Sequence, residues 1–161
     1  MLEIKAKLKI ARSAYRLEVK GRLPLPFAQR QGGEAQARLE SGEEVALKLR
    51  RGEVLRGGDL VTASDGRVIE VVAAPEKLLQ LAADSLAKLA YHLGSRHVPV
   101  EVGEGFLRVP AEAGVQELVE KLGAKTSPIE APFEPEVTEP HDHDDDHGHE
   151  HDHDHHGHHR H

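Results

Sequence analysis

Histidine offers most of the chemistry available to this sequence, and it is concentrated at one end. Eleven of the 13 histidines fall between residues 141 and 161, interleaved with aspartate, glutamate and glycine. Neutral imidazole binds divalent Ni, Cu, Zn and Co, and neighbouring carboxylates lower the electrostatic cost of bringing such a cation close. We therefore predict that this segment collects metal ions through its histidines: His141, His143, His147, His149, His151, His153, His155, His156, His158, His159 and His161.

The histidine-rich segment is predicted to be a disordered tail, residues 137–161. It has almost no apolar side chain with which to pack, and a sequence of this kind cannot bury enough surface to fold. An H-E-x-x-H string begins at His149, but zinc hydrolases need that string on a packed helix, so the match is coincidental. The interleaved acids also argue against an added purification tag, which is normally a plain histidine run.

Two histidines, His92 and His97, lie outside the tail. His97 follows a predicted helix stop at Gly94, on a short connection near the negative end of that helix. His92 falls in the last turn of the same helix, where its simplest role is as a partner of the helix dipole or a packed edge residue. Taken alone, both are better explained as ordinary histidines than as metal ligands.

Cysteine is absent from the sequence, which excludes several kinds of site. Disulfides, zinc-thiolate sites, iron–sulfur clusters and thiol catalysis all require it, so any metal must be held by nitrogen and oxygen. No serine occupies a nucleophile elbow, and no G-x-x-x-x-G-K-[ST] loop occurs. We therefore expect that the protein is not an enzyme and does not hydrolyse nucleotides.

Charge is distributed unevenly along the chain. The formal net charge is -7, and residues 141–161 carry six Asp, one Glu and one Arg, which gives -6 and leaves -1 for the rest. Residues 1–56 instead carry thirteen Lys or Arg against seven Glu. Only Tyr15 and Phe27 could stack on bases there, and solvated strand faces explain the basic bias equally well. We expect no nucleic-acid partner.

The N-terminus and the rest of the sequence lack the signals of a membrane protein. The opening MLEIKAKLKI interleaves charged and apolar residues, so it contains no apolar core of a signal peptide. No run of about 18 apolar residues occurs anywhere. We expect a cytoplasmic protein without a membrane partner.

Alternating apolar residues predict strands throughout the first 67 residues. Leu2 to Ile10 alternates with mostly charged positions, and a period of two is typical of a strand with one buried face. Two further alternating runs, 35–39 and 45–49, flank a short glycine-containing link at Gly42 that suits a hairpin. Residues 1–67 are therefore predicted to form a small all-β domain.

The pattern changes after Arg67. A buried strand over 68–74 is predicted to pass into a helix over 76–93, whose apolar residues recur at spacings of three, four and seven. Gly94 offers a left-handed stop. The remaining predicted elements are two strands, a helix and a possible last strand: 98–102, 106–109, 115–122 and 125–130. The order β-α-β-β-α-β is that of a ferredoxin-like domain, over residues 68–136.

After Pro128 the chain is rich in proline with little periodicity, which is typical of an extended spacer. The predicted fold class is α+β. It consists of a small N-terminal all-β domain, then a ferredoxin-like βαββαβ domain, then the disordered His-rich tail.

The segment AYHLGSRHVP, residues 90–99, resembles the nickel-binding segment of the urease accessory protein E family, the UreE metallochaperones. Several other strings are similar to that family too: RLPLP at 22–26, RGGD at 56–59, VVAAPE at 71–76, LGA at 122–124 and PFEPE at 132–136. The resemblance covers nearly the whole chain. Ser95 replaces the asparagine usual in the family, and residues 109–112 lack the extra histidines that some relatives carry.

The resemblance implies a homodimeric nickel metallochaperone with a partner- or peptide-binding N-terminal domain and a metal-binding, dimerising second domain. By position, the nickel ligand is His97 from both subunits, with the tail histidines as auxiliary ligands and His92 as a minor candidate. The implied partners are the urease-associated GTPase and the urease apoprotein assembly complex, to which Ni(II) is donated. Zn(II) or Cu(II) could compete in vitro. The alternative is a histidine-rich storage or buffering protein for nickel, zinc or copper.

Overall fold

The computed structural model describes residues 1–8 and 18–137, which form two sheets. The strands of the first sheet are β1 Leu2–Lys7, β2 Val19–Leu25, β3 Gly33–Arg38, β4 Glu44–Leu49, β5 Leu60–Ala63 and β6 Val68–Ala73. They lie in the order β2-β6-β5-β1-β4-β3. A one-turn helix, α1 (Phe27–Arg30), interrupts the otherwise all-β first half.

The predicted hairpin is confirmed, since β3 and β4 are antiparallel from Gly33 opposite Leu49 to Arg38 opposite Glu44. The backbone N–H of Glu40 donates to the carbonyl of Arg22, which brings the two edge strands, β2 and β3, together. Inward-facing side chains of the strands form one apolar core. The buried core residues are Ile4, Leu23, Leu25, Leu39, Val45, Leu47, Leu49, Leu55, Val61, Ala63, Ile69 and Val71.

The elements of the second half are β7 Pro75–Ala82, α2 Leu86–Ser95, β8 Glu101–Val102, β9 Leu107–Pro110, α3 Ala113–Lys121 and β10 Lys125–Pro132. The strands form a second sheet in the order β10-β7-β9-β8, with every neighbouring pair antiparallel. The two helices pack on one face, where Leu89, Leu93 and Val119 meet apolar residues of β7 and β9. This is the predicted split β-α-β arrangement. Within the described residues, no helix is long and apolar enough to span a bilayer.

The predicted helix over 76–93 is wrong in its first half. Residues 75–82 form strand β7, and α2 begins only after Ser85, whose side chain accepts a hydrogen bond from the N–H of Lys88 at 3.2 Å. The predicted strand at 68–74 exists, but β6 lies between β2 and β5 in the first sheet. The strand that opens the second sheet is therefore β7.

The predicted extended spacer after Pro128 is also wrong. Strand β10 pairs with β7 up to Pro132, and the chain then crosses back to the first sheet as residues 133–137, which we call the strap. Phe133 is buried against Phe27 and Leu78 in a small core between the sheets, with the two aromatic rings 5.7 Å apart and edge to face. Apart from Val137, the tail predicted to be disordered, with its eleven histidines, lies outside the described residues.

Ion pairs engage most of the positively charged side chains described in the first domain. Among the described residues up to 56, only Arg50 and Arg51 lack a carboxylate within 4.0 Å of the charged group. The paired residues and their acids are Lys5–Glu3, Lys7–Asp59, Lys20–Glu18, Arg22–Glu40, Arg30–Glu134, Arg38–Glu44, Lys48–Glu3 and Arg56–Glu134. Most of this positive charge is therefore neutralised within the chain.

Candidate metal site

His97 lies at the C-terminal end of α2, one residue beyond the cap Arg96. The N–H of Val98 donates to the carbonyl of Leu93 at 3.1 Å, and the N–H of His97 donates to the carbonyl of Gly94 at 3.0 Å. These two bonds form a Schellman motif, in which the residue after the cap takes a left-handed conformation. His97 has a φ of 58°, the one positive φ at a non-glycine residue in the described ranges.

Helix α3 ends in the same way, but with glycine in the left-handed position. Gly123 has a φ of 83°, its N–H donates to Glu120, and the N–H of Ala124 donates to Val119, both at 3.0 Å. A side chain in this conformation costs roughly 1–2 kcal/mol. The predicted left-handed stop at Gly94 is wrong, because that residue is inside α2. The strained position is instead occupied by a side chain able to bind metal.

Replacing His97 with glycine should therefore stabilise the metal-free protein by about 0.5–1 kcal/mol, since relief of the left-handed strain exceeds the extra backbone entropy lost on folding. Urea unfolding followed by circular dichroism measures the change. Gly123→Ala is the reverse exchange at the matching position of α3 and should destabilise the protein. Equal or lower stability of the His97→Gly protein would contradict the assignment of strain to this residue.

The exposed side chain of His97 lies at a groove of about 620 Å³ between the two halves of the chain. Apolar side chains form much of the lining, and the strap closes one side. Residues of the first half that line it are Phe27, Gln31, Gly52 and Val54. Residues of the second half are Ala90, Gly94, His97, Val98, Pro99, Val100, Val102, Glu136 and Val137.

His92 occupies a different position from His97. It is exposed in the last turn of α2, its ring meets the ring of Tyr91 edge to face with centroids 5.5 Å apart, and it does not line the groove. Its carbonyl accepts hydrogen bonds from the Ser95 hydroxyl at 2.9 Å and from Arg96 Nη1 at 3.2 Å. These bonds satisfy the His92 carbonyl at the end of the helix. Among the described residues, no second histidine lines the groove beside His97.

One chain supplies too few ligands for a complete site among its described residues. There, no group of three or more His, Asp or Glu side chains is placed to hold a metal ion. One imidazole cannot fill the coordination shell of a divalent transition metal. If His97 binds metal, the remaining ligands must come from a second chain, from the tail or from water.

A partly buried charged cluster lies where the strap meets the first sheet. Arg30 is completely buried, and its guanidinium forms an ion pair with Glu134 at 3.1 Å. Arg56 pairs with the other carboxylate oxygen of Glu134 at 2.9 Å. Burial lowers the pKa of the Arg30 guanidinium, while the charge of Glu134 opposes that shift. Sequence reasoning missed this cluster, because neither arginine differs in pattern from its exposed neighbours.

The two halves of the chain each match a known domain. The family model described as "UreE urease accessory protein, C-terminal domain" matches residues 67–161, and that of the N-terminal domain matches residues 7–74. The chain belongs to the UreE urease accessory protein family. The UreE N-terminal match ends beside Ala73, the last residue of the first sheet, whereas the C-terminal match begins at residue 67 and so includes β6 as well as the whole second sheet.

Individual UreE proteins are similar over most of the chain. The urease accessory proteins UreE of Cupriavidus necator, Ralstonia nicotianae and Cupriavidus pinatubonensis are 47%, 44% and 48% identical to it over 118 residues, or 71% of this chain. The matched part spans 62%, 56% and 53% of those proteins, less than two thirds of their length. The predicted UreE resemblance is confirmed.

Proposed function

We propose that this chain is a cytoplasmic nickel metallochaperone that works as a homodimer. It binds Ni(II) between the His97 side chains of two subunits and donates the ion during assembly of the urease metallocentre. The observation that best supports this proposal is the position of His97. Its imidazole is exposed, at a strained helix end beside an apolar groove. Strained residues of this kind persist mainly where function requires them.

A second subunit is the simplest source of the missing nitrogen. In a two-fold symmetric dimer, the surface patch on the symmetry axis packs against the same patch of the partner subunit. An axis near His97 would therefore bring the two copies of its imidazole together. The groove beside His97 is lined largely by apolar side chains, among them Val102, which is 54% exposed. Contiguous exposed apolar surface of this kind is typical of interaction sites.

Ligation by two exposed side chains also suits donation. An ion held by few protein nitrogens, with water or tail histidines completing its shell, can exchange ligands with an incoming acceptor. The proposed acceptors are the urease-associated GTPase and the urease apoprotein complex, which the family resemblance implies. Zn(II) and Cu(II) bind the same ligand type, so selectivity depends on supply and partners.

A storage role is the second candidate, because the tail concentrates eleven histidines and seven carboxylates in 21 residues. Removing residues 138–161 discriminates between the two roles. A chaperone should retain one strong nickel site for every two chains, whereas a storage protein should lose all nickel binding. Calorimetric titration, with native mass spectrometry in parallel, measures affinity, stoichiometry and oligomeric state together. A truncated protein that is monomeric when saturated with nickel would overturn the shared-site proposal.

A further inference from the structure

We propose that Glu134 is a positioning residue: with Arg30 and Arg56 it clamps the strap and so fixes its last residue, Val137, beside His97, where the tail sequence begins. The proposal rests on the proposed function for what the tail binds. The clamp itself is a contact between the two halves of the chain and can be tested without metal.

Arg30 forms the rigid half of the clamp. Its Nε donates to the carbonyl of Leu25 at 3.1 Å, and its Nη1 donates to the carbonyl of Leu55 at 3.2 Å. Its Nη2 donates to the carbonyl of Phe133, the first residue of the strap. The guanidinium also lies 5.4 Å from the centre of the Phe27 ring. These contacts hold a charged group that is inaccessible to solvent in one orientation.

Glu134 forms the other half, with both carboxylate oxygens engaged. Oε1 accepts from Arg30 Nη1 at 3.1 Å and from the backbone N–H of Gly57 at 3.0 Å, and Oε2 accepts from Arg56 Nη1 at 2.9 Å. The approach to Gly57 is close, because a Cβ there would lie 3.2 Å from Oε1. The three donors belong to the first domain, so this one carboxylate ties the strap to it.

The same strap is bonded to the second domain. The N–H of Glu134 donates to Glu101 Oε1 at 2.7 Å, and the N–H of Glu136 donates to the carbonyl of Val100 at 2.8 Å. The strap therefore runs antiparallel to residues 100–101, toward His97. Glu136 and Val137 line the groove together with His97. The last described residue, Val137, consequently lies beside the candidate metal site.

The path of the strap determines how close to His97 the histidine-rich sequence begins. His141 is four residues beyond Val137, a span of at most about 14 Å at roughly 3.3–3.6 Å per residue. A tethered ligand has a high effective concentration only when the tether starts near the site. Without the Glu134 carboxylate contacts, the strap would be held beside His97 mainly by the two backbone N–H bonds to Glu101 and Val100. We expect these bonds alone to allow more movement of the starting point, which would lower the effective concentration at His97.

The position of the strap can be measured directly in the full-length, metal-free protein. Because the chain contains no cysteine, Ala87→Cys on α2 and Glu136→Cys on the strap, both at exposed positions, would carry the only two spin labels. We expect a narrow distance distribution between them, and a broader one after Glu134→Gln. Glu130→Gln is the control, since it removes the same charge from an exposed residue of β10 and should change nothing. A broad distribution in the parent protein, or no change in Glu134→Gln, would overturn the proposal.

Nickel titration of the full-length variants tests the consequence. Glu134→Gln should weaken the strongest site by about threefold to tenfold through the lower effective concentration, and Glu130→Gln should not. Unchanged affinity in a protein whose strap has moved would overturn the positioning role. Absence of nickel binding in the parent protein would instead reject the proposed function, while the label distances still decide on the clamp. If Glu134→Gln fails to fold, Arg56→Gln removes one of the two cations and carries the same expectations.

Discussion

Replacing His97 with alanine is expected to abolish the strongest nickel site while leaving the fold intact. Each dimer would lose both proposed imidazole ligands at once. Losing an outer-shell partner of a metal ligand already costs about 10–100-fold in affinity, so losing the ligands themselves should exceed about 100-fold. Fold stability should hardly change, because alanine meets the same left-handed strain as histidine at this position.

The measurement is calorimetry on a chain ending at Val137, where the tail histidines cannot mask the loss. His92→Ala is the matched control, since it removes an exposed imidazole five residues away that does not line the groove. Circular dichroism verifies that both variants fold. If affinity and stoichiometry were the same in the His97→Ala protein as in its parent, nickel ligation by His97 would be rejected.

Replacing Arg30 with alanine should lower the free energy of unfolding by about 3 kcal/mol, the lower end of the cost of breaking a buried ion pair, because Glu134 is 34% exposed. The substitution would leave the carbonyls of Leu25, Leu55 and Phe133 without this donor. It would also leave Glu134 with only Arg56 as a cationic partner. The expected loss is a large part of the stability of a protein of this size.

Arg38→Ala provides the comparison, because Arg38 forms its ion pair with Glu44 on the surface, where the two side chains are 69% and 56% exposed. Such pairs contribute about 0–1 kcal/mol. Urea unfolding of both variants measures the difference. An Arg30→Ala protein destabilised no more than Arg38→Ala would show that the buried guanidinium does not hold the two halves together.

The strands of the first sheet were easier to predict from the sequence than β7, the first strand of the second sheet. The hairpin at 35–49 has one buried face, so its alternation is clear. In β7, Leu78 and Leu79 are adjacent and both buried, Leu78 between the two sheets and Leu79 under the helices. A strand covered on both faces loses its alternation. Its leucines then matched the spacing of the helix that follows.

The candidate site was predictable in identity but not in geometry. The string AYHLGSRHVP identified His97 by family resemblance, whereas its left-handed conformation could not be predicted because glycine normally occupies that position, as Gly123 does in α3. The clamp escaped prediction for a different reason. Arg30 and Glu134 are 104 positions apart, and no local pattern reports a partner at that distance.

The same separation has a consequence for how the chain is made. Synthesis proceeds from the N-terminus, and Ala73 completes the first sheet about sixty residues before Glu134 is added. During that interval Arg30 lacks both its carboxylate and the carbonyl of Phe133. Contacts between distant residues form late because the intervening chain must first be ordered. Closure of the clamp should therefore be among the last events on the ribosome, and a nascent chain stalled before residue 134 should expose the apolar side of Phe27 to chaperones.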